Sequence, residues 1–171
     1  MKRAIFLDRD GVINVDRGYV STIEAFEFVP HLFETLRHFR ALGYLLIIVT
    51  NQSGIGRGYY TLEDFKKLSA WMLERLEEEG IKIDALYHCP HDPDSGCGCR
   101  KPAPGMILEA IDTFGIDPQR SWMIGDKQSD IDAAKNAGIE RTILIAPDCA
   151  DKRGARYCVQ SIFDTMKIIT T

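Results

Sequence analysis

Two kinds of apolar pattern alternate along the chain. Short continuous apolar runs predict buried strands, and longer segments with apolar residues at every third or fourth position predict helices with one buried face. The predicted strands are 4–7, 44–49, 85–88, 121–124 and 141–145, with a short sixth strand near Val159. The predicted helices are 30–42, 61–79, 104–114 and 129–136, with a last one from Ser161.

Strands that alternate with helices predict an α/β protein whose sheet is parallel and whose crossovers are right-handed. We therefore expect a Rossmann-like, doubly wound sheet with helices on both faces. The irregular stretch 14–29 is too short to be a separate cap domain, and no linker divides the chain. We expect one domain that spans residues 1–171.

The amino-acid composition narrows the classes of partner that the protein can be expected to bind. The formal net charge of −4 argues against a general nucleic-acid or membrane-surface binder. No segment predicts a membrane span or a signal peptide, so we expect a cytoplasmic protein, acting as a monomer on a small molecule. In that compartment the five cysteines are expected to be thiols or metal ligands, with Cys149 and Cys158 as ordinary thiols.

The first strand ends in two acids and a glycine, Asp8, Asp10 and Gly11. Parallel sheets bind ligands at the carboxyl ends of their strands, and glycine allows a sharp turn there. Two acids held together repel each other unless one is protonated or a cation joins them. This pair is suited to metal-assisted phosphoryl transfer, with one carboxylate as nucleophile and the other as proton shuttle. The alternative is a strand that ends in a polar turn.

Three further polar residues lie at or just beyond the ends of later strands: Thr50, Lys101 and Asp126. Since these ends share one sheet edge, the residues can meet in one crevice. Asp8 and Asp126 would bind Mg²⁺, Thr50 would hold phosphoryl oxygens, and Lys101 would supply a positive charge. Each alone also has a purely structural interpretation, as a turn residue, a solvated lysine or a helix-start acid.

Four segments together resemble the motifs of the haloacid-dehalogenase (HAD) superfamily: 8–11 (DRDG), 50–52 (TNQ), 100–102 (RKP) and 125–127 (GDK). The resemblance implies that Asp8 accepts the phosphoryl group and that Asp10 is the general acid and base. It also implies that Asp8, Asp126 and the backbone carbonyl of Asp10 bind Mg²⁺. Asp130 either orients this metal site or is a helix-surface acid.

A cysteine-rich loop contains two close pairs of metal-ligand residues: Cys89 with His91, and Cys97 with Cys99. Three thiolates and one imidazole suit a closed, tetrahedral Zn²⁺ site, so we expect a structural zinc ion that stiffens the loop. A redox pair or a chance cluster is the alternative. The motifs Cys-Pro-His and Cys-x-Cys-Arg-Lys-Pro resemble the HAD subgroup of heptose-bisphosphate and histidinol-phosphate phosphatases, in which zinc is structural.

The segments 13–20 and 50–55 are more similar to the heptose enzymes of that subgroup, which implies a phosphorylated sugar of nucleotide-heptose biosynthesis as substrate. Cations near the crevice suggest a second anionic group on the substrate, with Arg100 as the best contact. The expected substrate-binding residues are Asp16, Arg17, Gly18, Tyr19, Thr50, Asn51, Gln52, Ser53, Arg100, Lys101 and Lys127. The alternatives are a histidinol-phosphate phosphatase, a non-catalytic phospholigand-binding protein and a nucleic-acid end phosphatase.

Overall fold

The structure is a computed structural model that describes all 171 residues. Six strands form one sheet in the order β3-β2-β1-β4-β5-β6, and every pair is parallel. The strands are β1 (Ala4–Leu7), β2 (Leu45–Asn51), β3 (Ala85–Cys89), β4 (Trp122–Gly125), β5 (Arg141–Ile145) and β6 (Tyr157–Val159). The predicted parallel α/β sheet is therefore confirmed.

Helices cover both faces of the sheet. They are α1 (Leu32–Ala41), α2 (Ser53–Gly56), α3 (Leu62–Glu78), α4 (Gly105–Phe114) and α5 (Gln128–Asn136). Successive residues of a strand point to opposite faces. In β1, Ile5 and Leu7 pack into a core with α1 and α3, whereas Ala4 and Phe6 pack into a second core with α4 and α5. The doubly wound arrangement is confirmed, and no separate cap is present.

The strand order reverses direction at β1, which lies between β2 and β4. In open α/β sheets a crevice forms where the chain winds away from such a central strand in both directions, at the carboxyl ends of the strands. Asp8 follows β1 immediately, and its amide donates a 3.2 Å hydrogen bond to the Ile124 carbonyl of β4. The topology therefore places the first acid of the chain at the bottom of this crevice.

Three elements differ from those predicted. Helix α1 begins at Leu32 rather than Pro30, because His31 has a left-handed backbone with φ of 63°. The segment between the second predicted strand and the helix predicted at 61–79 contains the helical turn α2, which was not predicted and is held to the neighbouring loop by a 2.9 Å hydrogen bond from the Gly56 amide to the Pro90 carbonyl. The last predicted helix is a 3₁₀ helix, Ile162–Lys167.

The expectation that Cys149 and Cys158 are free thiols was also wrong, since a disulfide joins them. Their Cα atoms lie 5.6 Å apart. The pairing of β6 with β5 places Cys158 beside Leu144, and the loop after β5 brings Cys149 back to it. Composition alone did not reveal this proximity. No helix combines the length and the apolar character that crossing a bilayer requires.

Candidate active site

Asp8 lies at the carboxyl end of β1 and is almost completely buried. Its Oδ1 atom accepts a 2.9 Å hydrogen bond from Lys101 Nζ. Burial, and then the negative charge of Asp130, raise the pKa of Asp8 to about 6, although Lys101 opposes the shift. A carboxylate in this position is costly without a cation close by.

Asp8, Asp126 and Asp130 form a carboxylate cluster in which one oxygen from each lies within 4.8 Å of the others. Burial and then the charge of Asp8 raise the pKa of Asp126 to about 8. Asp126 Oδ1 is buried and has no hydrogen-bond partner. Three acids with one unpaired, buried oxygen are a donor set that a hard divalent cation fits, because oxygen ligands and negative charge are what such a cation prefers.

Gly11 allows this cluster to form. Its φ is +89°, and a Cβ atom at this position would overlap the Asp126 carboxylate. Any other residue would push Asp126 away from Asp8 and strain the backbone. The glycine that follows the two acids therefore serves both the turn and the approach of Asp126.

Lys101 reaches the crevice from the loop that follows the cysteine cluster. Its buried Nζ atom donates to Asp8 Oδ1, to Asp130 Oδ1 at 2.7 Å and to the Val49 carbonyl at 2.8 Å. Burial alone would lower the pKa of Lys101, but Asp130 and Asp8 outweigh it and raise the pKa above its ordinary value. Lys101 is therefore a fixed positive charge beside Asp8.

The loop that carries Lys101 is fastened to the end of β2. The Lys101 amide donates to Asn51 Oδ1 at 3.0 Å, and Asn51 Nδ2 donates to the Lys101 carbonyl at 3.2 Å. The peptide bond between Lys101 and Pro102 is cis. Asn51 thus holds the loop backbone in place as well as lining the cavity described below.

Asp130 is buried in the first turn of α5, which excludes the helix-surface alternative. One oxygen accepts from Lys101, and the other accepts from the backbone amides of Asp126 and Lys127, each at 3.1 Å. Asp130 therefore joins the lysine to the loop that presents Asp126.

Asp10 has a different environment. Its Oδ1 atom accepts from Arg9 Nη2 at 2.8 Å and from Asn14 Nδ2 at 3.0 Å, and its Oδ2 atom accepts from Gln52 Nε2 at 3.2 Å. Arg9 is itself buried and also donates to the Val20 carbonyl at 2.7 Å. These contacts fix the orientation of the Asp10 carboxylate at the edge of the cavity.

A cavity of about 790 Å³ lies next to these acids, and Asp10 and Lys101 are part of its lining. It is lined by many of the residues predicted to bind substrate: Asp16, Gly18, Tyr19, Asn51, Gln52, Ser53, Arg100, Lys101 and Lys127. Arg57 and Tyr60 also line it. Arg100 Nη1 is buried and has no hydrogen-bond partner, so a positive group is available to an anion in this cavity.

Two predicted residues lie elsewhere. Thr50 is fully buried, and its Oγ1 atom accepts a 2.9 Å hydrogen bond from Gln52. The structure does not bring Arg17 to the cavity lining, because its guanidinium pairs with Glu27 at 2.5 Å on the surface and donates to the Ala25 carbonyl. The cation of the 16–19 loop therefore points away from the site.

The sequence reasoning missed Arg9, Asn14 and Tyr60, which organise Asp10 directly or through Gln52. The sequence did contain a signal for Arg9. Arg9 is a charged residue between two acids at the end of a buried strand, where it is costly unless it is paired. Tyr60 gave no local signal, since only folding of the 52–60 loop brings it to Gln52.

Cys89, His91, Cys97 and Cys99 form a second cluster that could hold a metal ion. The Cys97 sulfur lies 3.6 Å from the sulfurs of Cys89 and Cys99, close to the spacing of about 3.8 Å that tetrahedral Zn²⁺ ligation requires. His91 Nδ1 lies 3.4 Å and 3.3 Å from the sulfurs of Cys89 and Cys99. Those two sulfurs are 2.6 Å apart, so they must separate by about 1 Å around an ion.

The cysteine cluster is tied to the active-site loop. Burial raises the pKa of the Cys89 thiol to about 12, so this residue needs a cation in order to be a thiolate. Gly98, inside the cluster, accepts a 2.9 Å hydrogen bond from the Gly105 amide at the start of α4. Residues 100–101 lie between these points, so order in the cluster constrains Arg100 and Lys101.

A parallel sheet that carries an acid pair after its central strand, a buried lysine and two further acids defines a HAD-type phosphatase. The HAD-hydrolase-like family model matches residues 98–156. The D-glycero-beta-D-manno-heptose-1,7-bisphosphate 7-phosphatase of Pasteurella multocida is 46% identical over 179 aligned positions, which cover 99% of this chain and 97% of that protein. The chain belongs to the family of D-glycero-D-manno-heptose-1,7-bisphosphate 7-phosphatases.

A further relative and a solved structure have names of the same kind. The D-glycero-alpha-D-manno-heptose-1,7-bisphosphate 7-phosphatase of Campylobacter jejuni is 54% identical, covering 84% of this chain and 82% of that protein. Among solved structures, the D,D-heptose 1,7-bisphosphate phosphatase of B. bronchiseptica, complexed with magnesium and phosphate, superimposes with a TM-score of 0.86. It is 29% identical, and the match covers 99% of this chain and 98% of that one.

Proposed function

We propose that this chain removes the 7-phosphate of D-glycero-D-manno-heptose 1,7-bisphosphate, in the formation of nucleotide-activated heptose. The observation that carries the proposal is the placement of Asp8. This buried carboxylate faces two further acids and contacts Lys101, which lines a cavity that also contains an unpaired arginine nitrogen. Membership of the heptose bisphosphate phosphatase family supports the substrate, and histidinol phosphate is not favoured.

Asp8 is the nucleophile of this reaction. One of its oxygens forms a bond to phosphorus while the bond from phosphorus to the sugar oxygen breaks, and Asp10 gives its proton to that departing oxygen. Asp10 then takes a proton from a water molecule whose oxygen attacks phosphorus, and the bond to Asp8 breaks. Lys101 stabilises negative charge on the phosphoryl oxygens and on Asp8.

Mg²⁺ fits the carboxylate cluster and would be held by Asp8, Asp126 and the Asp10 backbone carbonyl. When bound, it would neutralise the repulsion between the substrate phosphate and the carboxylates. The unpaired Asp126 oxygen, and the magnesium in the B. bronchiseptica enzyme, support this assignment. Asp130 would orient the site from beneath through its bonds to Lys101 and the Asp126 amide.

The cysteine cluster would hold a structural Zn²⁺. Its four ligands come from the chain itself, which leaves no position for substrate and suits a structural role. The ion would fix the loop that presents Arg100 and Lys101.

The second phosphate of the substrate would be bound by Arg100, whose Nη1 atom is buried and unpaired in the cavity. Lys127, Asp16, Gly18, Tyr19, Asn51 and Ser53 line the same space and would contact the sugar and its phosphates. Thr50 would lie beneath the transferring phosphoryl group. Gln52, whose two amide hydrogens are taken by Asp10 and Thr50, would act through those two residues. Arg17 would contribute only if it left Glu27, so we place it outside the binding set.

We further propose that residues 1–171 act as one domain, as a monomer in the cytoplasm. The single sheet supports one domain. The few large apolar side chains that are exposed give little area for a subunit interface: Met1, Tyr19, Tyr59, Leu62, Leu108 and Tyr157.

The test compares phosphate release from both anomers of heptose 1,7-bisphosphate and from histidinol phosphate, with Mg²⁺ present. We expect release from a heptose ester, and we expect Asp8→Asn to lose more than about a thousandfold in activity with an unchanged circular dichroism spectrum. Preference for histidinol phosphate would overturn the substrate. Undiminished turnover by Asp8→Asn would overturn the nucleophile.

A further inference from the structure

Asp10 accepts hydrogen bonds unequally on its two oxygens. Oδ1 accepts from the Arg9 guanidinium at 2.8 Å and from the Asn14 amide at 3.0 Å, and both donors are also bonded to backbone carbonyls. Oδ2 accepts only from Gln52, at 3.2 Å. A proton that Asp10 exchanges with a reacting oxygen must therefore be carried on Oδ2, because Oδ1 is occupied by a cation and an amide.

The side chain of Gln52 is buried, and its amide group has one useful orientation. Nε2 donates one hydrogen to Asp10 Oδ2 and the other to Thr50 Oγ1, at 3.2 Å and 2.9 Å. A half-turn of the amide would place its oxygen against the Asp10 carboxylate and break both bonds. The amide therefore needs a partner that distinguishes its oxygen from its nitrogen.

Tyr60 is that partner, since its hydroxyl donates to Gln52 Oε1. Burial is the main cause that raises the pKa of Tyr60 to about 12, so the hydroxyl keeps its proton at the pH at which enzymes work. The ring lies directly on the backbone of α2, where a Cβ atom on Gly54 would overlap it. The position of the hydroxyl is therefore fixed by packing on a glycine.

We propose that Tyr60 and Gln52 are positioning residues that hold Asp10 Oδ2 toward the leaving oxygen during phosphoryl transfer. The inference rests on the proposed phosphatase function, in which Asp10 protonates that oxygen as its bond to phosphorus breaks. Tyr60 orients the Gln52 amide, and the amide orients Oδ2. Neither residue bonds to phosphorus or exchanges a proton with substrate.

This role predicts a dependence on the leaving group that a structural role would not produce. A sugar alkoxide needs a proton in order to leave, whereas 4-nitrophenolate leaves as a stable anion. The value of kcat/KM reports only the steps up to the first phosphoryl transfer, so it isolates the acid role of Asp10 from its later role as base. A misplaced Asp10 should therefore lower kcat/KM for a sugar phosphate and not for 4-nitrophenyl phosphate.

The experiment uses the full chain with Mg²⁺ and compares Tyr60→Phe with Tyr59→Phe. Tyr59 is the matched control, because it is adjacent in sequence, and its ring is mostly exposed. For Tyr60→Phe we expect kcat/KM to fall about tenfold with heptose 1,7-bisphosphate and less than about twofold with 4-nitrophenyl phosphate, as expected for one lost hydrogen bond. We expect Tyr59→Phe to match the wild type on both. Equal losses on both esters, or no loss on either, would overturn the proposal.

A second variant tests the pathway through the amide and does not depend on Tyr60→Phe folding well. Gln52→Met keeps the length of the side chain but removes its donors, so it should show the same selective loss with the sugar phosphate. In the double variant, Tyr60→Phe should add less than about twofold, because the residue through which it acts is gone. Independent, multiplicative losses would overturn the proposal.

These outcomes are distinguishable from failure of the proposed substrate. If the wild type cleaves 4-nitrophenyl phosphate but not heptose 1,7-bisphosphate, the substrate is wrong, and the comparison is made with a sugar phosphate that the enzyme does cleave. If Asp10→Asn retains full kcat/KM with that sugar phosphate, Asp10 is not the acid, and the inference fails with it.

Discussion

Lys101 Nζ lies 2.9 Å from Asp8 Oδ1 although 93 residues separate them in the chain. The ammonium also contacts Asp130 at 2.7 Å, so one lysine lies between two buried carboxylates. This arrangement partly balances the charge of Asp8. The hydrogen bond from Lys101 occupies Oδ1, so we expect the reaction to use the other carboxylate oxygen.

Removing Asp130 should damage both stability and activity. Asp130→Ala leaves Lys101 with a single carboxylate and leaves two loop amides without an acceptor, so we expect the free energy of unfolding to fall by about 3 kcal/mol. Chemical denaturation measures this loss. Asp132→Ala is the control, because Asp132 lies on a different face of the same helix. It should change stability by less than about 0.5 kcal/mol. Equal effects of the two variants would refute the buried network.

Stability without Mg²⁺ should fall as the pH rises. The folded-state pKa values of Asp8 and Asp126 are raised to about 6 and about 8, above the ordinary value of 3.8. The folded protein thus holds protons that the unfolded chain releases, so the contribution of these groups is greatest below pH 3.8 and is lost through pH 8. The melting temperature, measured at several pH values between 5.5 and 8.5, checks this slope.

Mg²⁺ should oppose that pH dependence, because the ion competes with protons for the same oxygens. We expect the increase in melting temperature on adding Mg²⁺ to be larger at pH 8.5 than at pH 5.5. Asp126→Asn should remove most of the increase, since it removes the negative charge and replaces one of the two carboxylate oxygens by an amide nitrogen, which cannot ligate the ion. An increase that is the same at both pH values, or that persists in Asp126→Asn, would place the cation elsewhere.

Arg100 should recognise the phosphate that is not cleaved. Arg100→Ala removes a charged donor from the cavity, and we expect KM for heptose 1,7-bisphosphate to rise about ten- to a hundredfold. KM for 4-nitrophenyl phosphate, which has no second phosphate, should change less than about threefold. Arg120→Ala, on the exposed surface, is the control. Equal increases in KM for both esters would show that Arg100 acts on the transferred phosphate or on folding instead.

The cysteine cluster should retain one zinc ion per chain. Metal analysis of the purified protein should give about one equivalent, and Cys99→Ser should lower both the zinc content and the melting temperature, because a structural site contributes folding energy. Cys149→Ser is the control for zinc content alone, since Cys149 lies outside the cluster but forms the disulfide with Cys158, and it should keep the full zinc content. Zinc-free protein with unchanged melting behaviour would refute the assignment.

The acids and the lysine of the site could be predicted because each lies at the end of a buried strand or in the loop beyond it. Parallel topology brings those ends to one edge, so local patterns were enough to place Asp8, Asp126 and Lys101 together. Their catalytic roles stay predictions. Side-chain direction was not accessible in the same way, as Arg17 illustrates by pairing with Glu27 instead of lining the cavity.

By itself the sequence determined the sheet, its helices, the placement of Asp126 near Asp8 and the four residues of the cysteine cluster, because periodicity and short spacings encode them locally. Only the tertiary structure decided that Asp130 is buried beneath Lys101, that Cys158 meets Cys149, and that Tyr60 fixes the amide beside Asp10. The physical reason is that these contacts depend on how loops pack against one another. No periodic pattern along the chain records the direction in which a loop side chain points.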